Sequence, residues 1–323
     1  MLLQLLAIVV GFILLVWGAD RFVIGAGAAA RNLGVAPIMI GLTVVAFATS
    51  APEVLVSVVA SLQGNVGLAV GNAVGSNIAN IGLVLGTTAL IQTIEVRSQT
   101  LRREMPALLA VTLLAFMLFA DSFLGRTDGF ILLVSLILVM YWLVSLGFRS
   151  NSSDPISAEY AAEIPSDMSM GTAVAWFSVG LAVLLAGSNT LVWGAEGLAS
   201  ALGISDLVIG LTIVAIGTSL PELAVSLMSA LKGEHGLALG NILGSNIFNL
   251  LAVVGLAGII APSQLDPGVV TFHFPVMVGL TLVLFVMAYN YSSTGSIKRI
   301  EGFALLIAFL AYQTYIVTEA LGS

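Results

Sequence analysis

Long apolar segments, repeated along almost the whole chain, restrict the possible fold more than any other feature of the sequence. The mean hydropathy is +1.11 over 323 residues, and only 8% of the residues are charged. Apolar runs of about 17–25 residues match the thickness of a bilayer, so the sequence predicts an all-α polytopic membrane protein. We expect ten spans, at approximate positions 2–18, 37–61, 66–91, 105–120, 129–147, 172–189, 207–230, 236–260, 270–290 and 301–318. The first run should be retained as a helix, because it has neither a basic leading segment nor a clear cleavage site.

The ten basic residues predict the orientation of these spans, because Lys and Arg are retained preferentially on the cytoplasmic side. With the N-terminus outside, nine of them fall in the cytoplasm and only Arg126 falls outside. Both termini are then expected outside, in a multi-pass protein of the cell membrane. Residues 149–170 become a cytoplasmic linker, for which a solvated hinge is the simpler interpretation and a regulatory cation site the alternative.

The sequence also contains an internal duplication. A shift of 169 residues superposes positions 41–86 on positions 210–255 without a gap, with 25 identities over 46 positions. The chain therefore divides into a first repeat, 1–148, the linker, 149–170, and a second repeat, 171–323. Since each repeat holds five spans, the second must enter the membrane from the opposite side. Inverted repeats of this kind place substrate sites near the membrane midplane in secondary transporters.

Each repeat carries a proline and a glutamate inside an apolar segment. Pro52 and Pro221 lack an N–H and crowd the carbonyl four residues earlier, so the helices should open near 46–49 and 215–218. A carboxylate at the centre of a membrane span costs at least about 2.5–3.5 kcal/mol, which makes Glu53 and Glu222 functional candidates by default. A lone Ser, Thr or Asn has a simpler structural explanation, because it usually bonds within or between helices.

The polar residues around each glutamate form two helix faces that occur once in each repeat. The first face carries Ala46, Thr49, Ser50, Glu53 and Ser57, repeated as Ala215, Thr218, Ser219, Glu222 and Ser226. The second face carries Asn72, Ser76 and Asn80, repeated as Asn241, Ser245 and Asn249. Hydroxyls, amide oxygens, freed carbonyls and two carboxylates are all oxygen donors, which hard cations such as Ca²⁺ prefer.

Other classes of site receive little support. Glycines recur every four residues in 67–75 and 236–244, but no Gly-Lys-Ser/Thr follows, so helix packing is favoured over nucleotide binding. Cysteine is absent, which excludes a thiolate site. We expect no cofactor, no nucleic-acid partner and no obligate protein partner, with the lipid bilayer and the transported ions as the partners of the chain.

The motifs "ATSAPE" with "GNAVGSNIAN", and "GTSLPE" with "GNILGSNIFN", resemble the two alpha repeats of the sodium/calcium exchangers in the cation/Ca²⁺ exchanger superfamily, as a prokaryotic-type member. The resemblance implies antiparallel repeats, four central helices around a midplane site, and outer helices that gate access. It implies that Glu53 and Glu222 are shared Ca²⁺ ligands. The other ligands that it implies are backbone carbonyls of Thr49, Thr218, Ala46 and Ala215, hydroxyls of Ser50, Ser219, Ser76 and Ser245, and the side chain of Asn80.

Three features depart from the family pattern. Ala48 replaces the expected Gly before Thr-Ser, so the first helix break is expected to be less flexible than the one at Gly217. Asn249, which we include among the ligands, stands where some members have Asp, and this argues against K⁺ dependence. The linker is far too short for the Ca²⁺-sensing domains of animal exchangers.

The sequence thus predicts a secondary antiporter that exchanges Ca²⁺ for Na⁺ and is not an enzyme. A Ca²⁺/H⁺ antiporter that uses the same residues stays open as the alternative, and the sequence does not distinguish the coupling ion. A cation channel is less favoured, because the polar groups cluster at one depth, and no nucleophile–base pair supports an intramembrane enzyme.

Overall fold

The computed structural model describes residues 1–34, 46–96, 99–149, 167–288 and 295–322, and it is helical over nearly all of them. The α-helices of the first repeat are α1 (Leu2–Asn32), α2 (Ala46–Thr49), α3 (Ala51–Leu62), α4 (Val66–Ala79), α5 (Gly86–Ile91), α6 (Gln99–Leu118) and α7 (Arg126–Arg149). Those of the second are α8 (Met170–Leu202), α9 (Asp206–Ile209), α10 (Ala215–Thr218), α11 (Leu220–Leu231), α12 (His235–Phe248), α13 (Val254–Ile260), α14 (Phe274–Ala288) and α15 (Arg299–Gly322). Four π-helical segments adjoin them, at Asn80–Leu85, Gly210–Val214, Asn249–Val253 and Val269–His273.

Seven helical segments of the described residues are long and apolar enough to cross a membrane. The count becomes eight if Asp206–Thr218 and Leu220–Leu231, which meet at a bend of 40°, form a single span. Two further apolar helices, Ala51–Leu62 and Glu104–Leu118, are shorter. The structure therefore shows a multi-pass all-helical membrane protein. The beginning of the predicted span 37–61 and most of the predicted linker lie outside the described residues.

Helices α1 and α8 are far longer than the predicted spans 2–18 and 172–189. With 31 and 33 residues they measure about 47 and 50 Å, against a hydrocarbon thickness of about 30 Å. They pack against each other in antiparallel fashion along their length, since Gly11 lies against Leu191 and Gly25 lies against Phe177. A Cβ atom at Gly25 would come within 2.3 Å of the Phe177 backbone nitrogen, so only glycine permits this approach.

The centre of the molecule is formed by two other segments, Val66–Ile91 and His235–Ile260. Their most apolar windows are 78% and 89% buried, against 33% for α1 and 22% for α8. The two central segments are related by the shift of 169 residues, and each begins at a helix start and contains a π-helical segment in its second half. The sequence duplication is therefore matched by equivalent secondary structure.

Two short antiparallel ribbons connect the repeats. Strand β1 (Ile94–Val96) pairs with β4 (Gly295–Ile297), and β2 (Phe123–Leu124) pairs with β3 (Ser263–Gln264). Each ribbon takes one strand from each repeat. Strands β1 and β3 follow the central segments Val66–Ile91 and His235–Ile260. Their partners, β4 and β2, precede the last helix of the opposite repeat.

Candidate cation-binding site

Two helix breaks lie at equivalent positions, at Ser50 between α2 and α3 and at Ser219 between α10 and α11. The backbone angles are nearly identical, with φ −84° and ψ 4° at Ser50 and φ −83° and ψ 3° at Ser219. Pro52 and Pro221 occupy the second position of the following helix, where a missing N–H is tolerated. The sequence predicts that the helices open near 46–49 and 215–218. Each break lies one residue after the predicted range.

The breaks bring the predicted ligands into the interior of the protein. Glu53 and Glu222 lie in the first turns of α3 and α11, and neither is exposed to solvent. Eight other residues of the predicted ligand set are at most 1% exposed: Thr49, Ser50, Ser76, Asn80, Thr218, Ser219, Ser245 and Asn249. Ala46 and Ala215 begin α2 and α10, one turn before the breaks. Two carboxyl groups with no access to water need charged or polar partners within the protein.

Hydroxyl groups from opposite repeats meet at two equivalent positions. The Oγ1 atom of Thr49 lies 3.4 Å from Oγ of Ser245, and Oγ1 of Thr218 lies 3.4 Å from Oγ of Ser76. The Ser76 hydroxyl is also 3.5 Å from the Ala215 carbonyl oxygen. The structure therefore brings predicted ligand residues of opposite repeats into contact in two equivalent groups.

The two carboxyl groups differ in their contacts. Ser245 donates a hydrogen bond of 3.1 Å to Oε1 of Glu222, whereas Oε2 of Glu222 and both carboxyl oxygens of Glu53 have no hydrogen-bond partner among the described residues. The Thr218 hydroxyl lies 3.1 Å from Oδ1 of Asn72 and 3.4 Å from the Ala215 carbonyl oxygen. Both carboxyl groups are completely buried, so water would not screen the repulsion between them if both were ionised. A cation between them would remove this repulsion.

Seven buried oxygen atoms of the predicted ligands lack a hydrogen-bond partner within the described part of the chain. They are both carboxyl oxygens of Glu53, Oε2 of Glu222, the hydroxyls of Ser50 and Ser219, and Oδ1 of Asn80 and of Asn249. A buried oxygen without a partner costs about 1–3 kcal/mol, so such groups usually have a role. Ca²⁺ takes about 6–8 oxygen ligands, which is the chemistry that this set offers to a transported cation.

One asparagine in each repeat bonds to the backbone carbonyl of the glutamate, although the sequence placed it only among the oxygen donors of the second face and not in the ligand set. Nδ2 of Asn72 donates hydrogen bonds to the Glu53 carbonyl oxygen at 3.2 Å and to Ser57 Oγ at 3.0 Å. Nδ2 of Asn241 repeats both bonds in the second repeat, to the Glu222 carbonyl at 3.2 Å and to Ser226 Oγ at 2.9 Å. The spacing of Asn72 and Asn241 from the glutamates, 19 residues in each repeat, was the signal available in the sequence.

The π-helical segments that begin at Asn80 and Asn249 were also missed. A π-helical turn inserts one residue into an α-helix and frequently occurs at functional sites. Here the segments begin at predicted ligands, at the same position in both repeats. No pattern in the sequence signalled this change of helix type.

The second break depends on close packing at Gly217. A Cβ atom at this position would lie within 1.8 Å of the Phe12 ring of α1. The glycine therefore leaves room for an aromatic side chain against the break. The sequence analysis predicted only a difference in flexibility between Ala48 and Gly217, and it missed this packing role.

A multi-pass helical protein with buried carboxylates at paired helix breaks has the features of a secondary cation transporter. The family model described as sodium/calcium exchanger protein matches residues 3–150 and 172–318. The chain belongs to this family, and it is accordingly a cation/Ca²⁺ antiporter of the prokaryotic type and not a member of an enzyme class.

Similar proteins support the same assignment. The putative antiporter CaxA of Alkalimonas amylolytica is 50% identical over 97% of this chain and 98% of its own length. The sodium/calcium exchanger MaX1 of Methanosarcina acetivorans is 32% identical over 95% and 96% of the two chains. Among solved structures, the sodium-calcium exchanger NCX_Mj, soaked with Na⁺ and Sr²⁺, matches with a TM-score of 0.69 and 34% identity over 97% and 98% of the chains.

Proposed function

We propose that this antiporter exchanges Ca²⁺ for Na⁺ across the cell membrane at one site that contains Glu53 and Glu222. The observation that carries the proposal is the set of seven buried oxygens without a hydrogen-bond partner among the described residues, three of which belong to these two carboxyl groups. The relatives agree with it, since MaX1 is named a sodium/calcium exchanger and NCX_Mj was soaked with Na⁺, Ca²⁺ and Sr²⁺.

The ligand set follows the resemblance of the two repeats to the family. Glu53 and Glu222 hold Ca²⁺ with the carbonyls of Thr49 and Thr218 and the side chain of Asn80. The Na⁺ positions use the carbonyls of Ala46 and Ala215 and the hydroxyls of Ser50, Ser76, Ser219 and Ser245. Asn249 completes the cavity without charge, so that the site carries −2, which a single Ca²⁺ neutralises.

The architecture that we propose has ten spans in two inverted repeats, 1–148 and 171–323, with both termini outside and the linker 149–170 in the cytoplasm. Helices α1 and α8 are equivalent in sequence and pack in antiparallel fashion, as an inverted repeat requires. Asn77 and Asn246, which are 169 positions apart, contact each other. Both observations support the inversion.

Exchange results from competition for the −2 cavity. Ca²⁺ and Na⁺ neutralise the same carboxylates, and the empty cavity is too costly to enclose in a medium of low dielectric constant. The protein therefore changes its side of access only when an ion is bound. We expect the outer pair α1 and α8 to move. Only 33% and 22% of their most apolar windows are buried, and glycine contacts hold the two helices together.

Ca²⁺ uptake into liposomes that contain the purified protein tests this proposal. An outward Na⁺ gradient should drive uptake, and the same vesicles with only a pH gradient should not. Uptake under the pH gradient alone would replace the proposal with Ca²⁺/H⁺ exchange at the same residues. Passive Ca²⁺ flux with neither gradient would indicate a channel.

A further inference from the structure

The side-chain amide of Asn72 has a fixed orientation. Its nitrogen donates to the Glu53 carbonyl at 3.2 Å and to Ser57 Oγ at 3.0 Å, and the side chain is completely buried. A backbone carbonyl can only accept a hydrogen bond, so the nitrogen must face Glu53 and the oxygen must face the opposite way.

The oxygen of this amide lies within hydrogen-bonding distance of two hydroxyl groups of the site. Oδ1 of Asn72 is 3.1 Å from the Thr218 hydroxyl and 3.4 Å from the Ser76 hydroxyl, and both hydroxyls also lie within 3.5 Å of the Ala215 carbonyl oxygen. A hydroxyl has one hydrogen and two lone pairs. When the hydrogen points to the amide oxygen, both lone pairs of the Ser76 hydroxyl are available to a cation.

The equivalent group in the second repeat shows the other arrangement. Asn241 is fixed in the same orientation by Glu222 and Ser226, but its Oδ1 is buried without a hydrogen-bond partner among the described residues. Ser245, the equivalent of Ser76, donates instead to Oε1 of Glu222 at 3.1 Å. In this arrangement one carboxyl oxygen of the site is engaged by a neutral hydroxyl.

We propose that Asn72 and Asn241 are positioning residues that orient the Ser76 and Ser245 hydroxyls for Na⁺. Each amide oxygen accepts the hydroxyl hydrogen when the serine binds Na⁺ through a lone pair. When the hydrogen turns to the glutamate, as at Ser245, the serine no longer presents both lone pairs to the cavity. The proposal rests on the Na⁺ positions of the proposed function and assigns the asparagines a part in selectivity for Na⁺ over Ca²⁺.

The expected effect is selective because the two cations depend on different groups. Ca²⁺ is held mainly by the carboxylates, whereas Na⁺ at these positions depends on neutral oxygens that must be oriented. Removal of one hydrogen bond typically changes an affinity by about tenfold or less. Loss of an amide oxygen should therefore weaken Na⁺ binding and leave Ca²⁺ binding nearly unchanged.

The experiment measures half-saturating Na⁺ and half-saturating Ca²⁺ for exchange by the full chain in liposomes. Asn72→Leu and Asn241→Leu should each raise the Na⁺ value about five- to tenfold and change the Ca²⁺ value less than about twofold. The controls Thr88→Val and Thr112→Val each remove a buried hydroxyl that bonds only to a carbonyl of its own helix, outside the predicted ligand set, and they should change neither value. If the asparagine variants shift both values equally, or if the controls reproduce the variants, the asparagines are structural braces and the proposal is wrong.

Two further measurements keep the result interpretable. In a Ser76→Ala background, Asn72→Leu should add no further loss of Na⁺ affinity, because the hydroxyl that Asn72 orients is gone. An additive loss would contradict the proposal.

If Asn72→Leu fails to fold, Asn72→Ser is measured instead, with the same expectation for both ions. A wild type that does not respond to Na⁺ would overturn the proposed function itself, whereas a Na⁺-driven wild type with unselective variants would overturn only this inference.

Discussion

Asn77 donates a hydrogen bond of 3.2 Å from its side chain to the backbone carbonyl of Asn246, its own counterpart 169 residues later in the second repeat. Two equivalent residues can touch only where the repeats meet near the axis that relates them. Asn80 joins the same contact through a bond of 3.1 Å to Asn246 Oδ1. The predicted ligand Asn80 is therefore next to the meeting point of the repeats, in agreement with one central site shared by both.

The inverted arrangement predicts opposite accessibility for two equivalent residues. Gln63 and Lys232 are exposed, follow equivalent helices and are 169 residues apart. In a chain without native cysteine, Gln63→Cys should react with an impermeant thiol reagent on intact cells, and Lys232→Cys should react only after permeabilisation. Labelling of both positions from the same side would exclude inversion, and the reverse pattern would overturn the orientation.

Substitution of either central glutamate should abolish exchange without unfolding the protein. Glu53→Gln and Glu222→Gln keep the shape of the side chain but remove half the charge of the site. Interactions with a charged group contribute about 1.5–3 kcal/mol, so Ca²⁺ affinity should fall at least about tenfold. Stability in detergent should not decrease, because a buried carboxylate is costly to folding.

The matched control for these variants is Asp206→Asn, which neutralises an acid in the first turn of α9, outside the predicted ligand set. It should transport Ca²⁺ as the wild type does. Near-normal transport by Glu53→Gln or Glu222→Gln would remove that residue from the ligand set.

Gly217→Ala should interfere with packing at the second helix break. The added methyl group would overlap the Phe12 ring, and overpacking typically costs about 1–3 kcal/mol. We expect a lower thermal unfolding temperature, which Phe12→Leu in the same chain should partly restore. An unchanged unfolding temperature in the single variant would mean that the Phe12 ring moves aside freely.

Asn249→Asp should make exchange more dependent on pH. Asn249 is completely buried and adds no charge, and a third carboxyl group would raise the charge of the cavity from −2 to −3. A proton can then neutralise the extra charge as well as a cation can, so that Ca²⁺ binding becomes coupled to proton binding. Na⁺-driven uptake by the variant should change more steeply between about pH 6 and 8 than uptake by the wild type. Identical profiles would show that position 249 does not sense the central charge.

Much of the fold could be predicted from the sequence, because the physical signals are local and strong. Apolar runs fix where helices can cross a bilayer, and Pro52 and Pro221 fix the breaks to within one residue. The lengths of α1 and α8 were underestimated, since polar residues such as Asp20 and Arg21 suggest a span end while the helix continues past them. The number of ten spans stays a prediction, with seven or eight segments of membrane length in the described residues.

The candidate site was predictable in its residue types but not in its hydrogen bonds. Repetition of Glu53 at Glu222 with the same neighbours identified the residues that the structure brings together. The difference between the bonds of Ser76 and Ser245, and the contact of Phe12 with Gly217, arise from packing between distant parts of the chain. Helix periodicity describes one helix at a time, so it contains no information about such contacts.

Equilibrium binding of radioactive Ca²⁺ to the purified protein, at increasing Na⁺ concentration, tests the shared site most directly. We predict one Ca²⁺ per chain, complete displacement by Na⁺, and no binding at the same Ca²⁺ concentration in the double variant Glu53→Gln, Glu222→Gln. Ca²⁺ that stays bound at saturating Na⁺, or that binds equally well to the double variant, would contradict exchange by competition for the two glutamates.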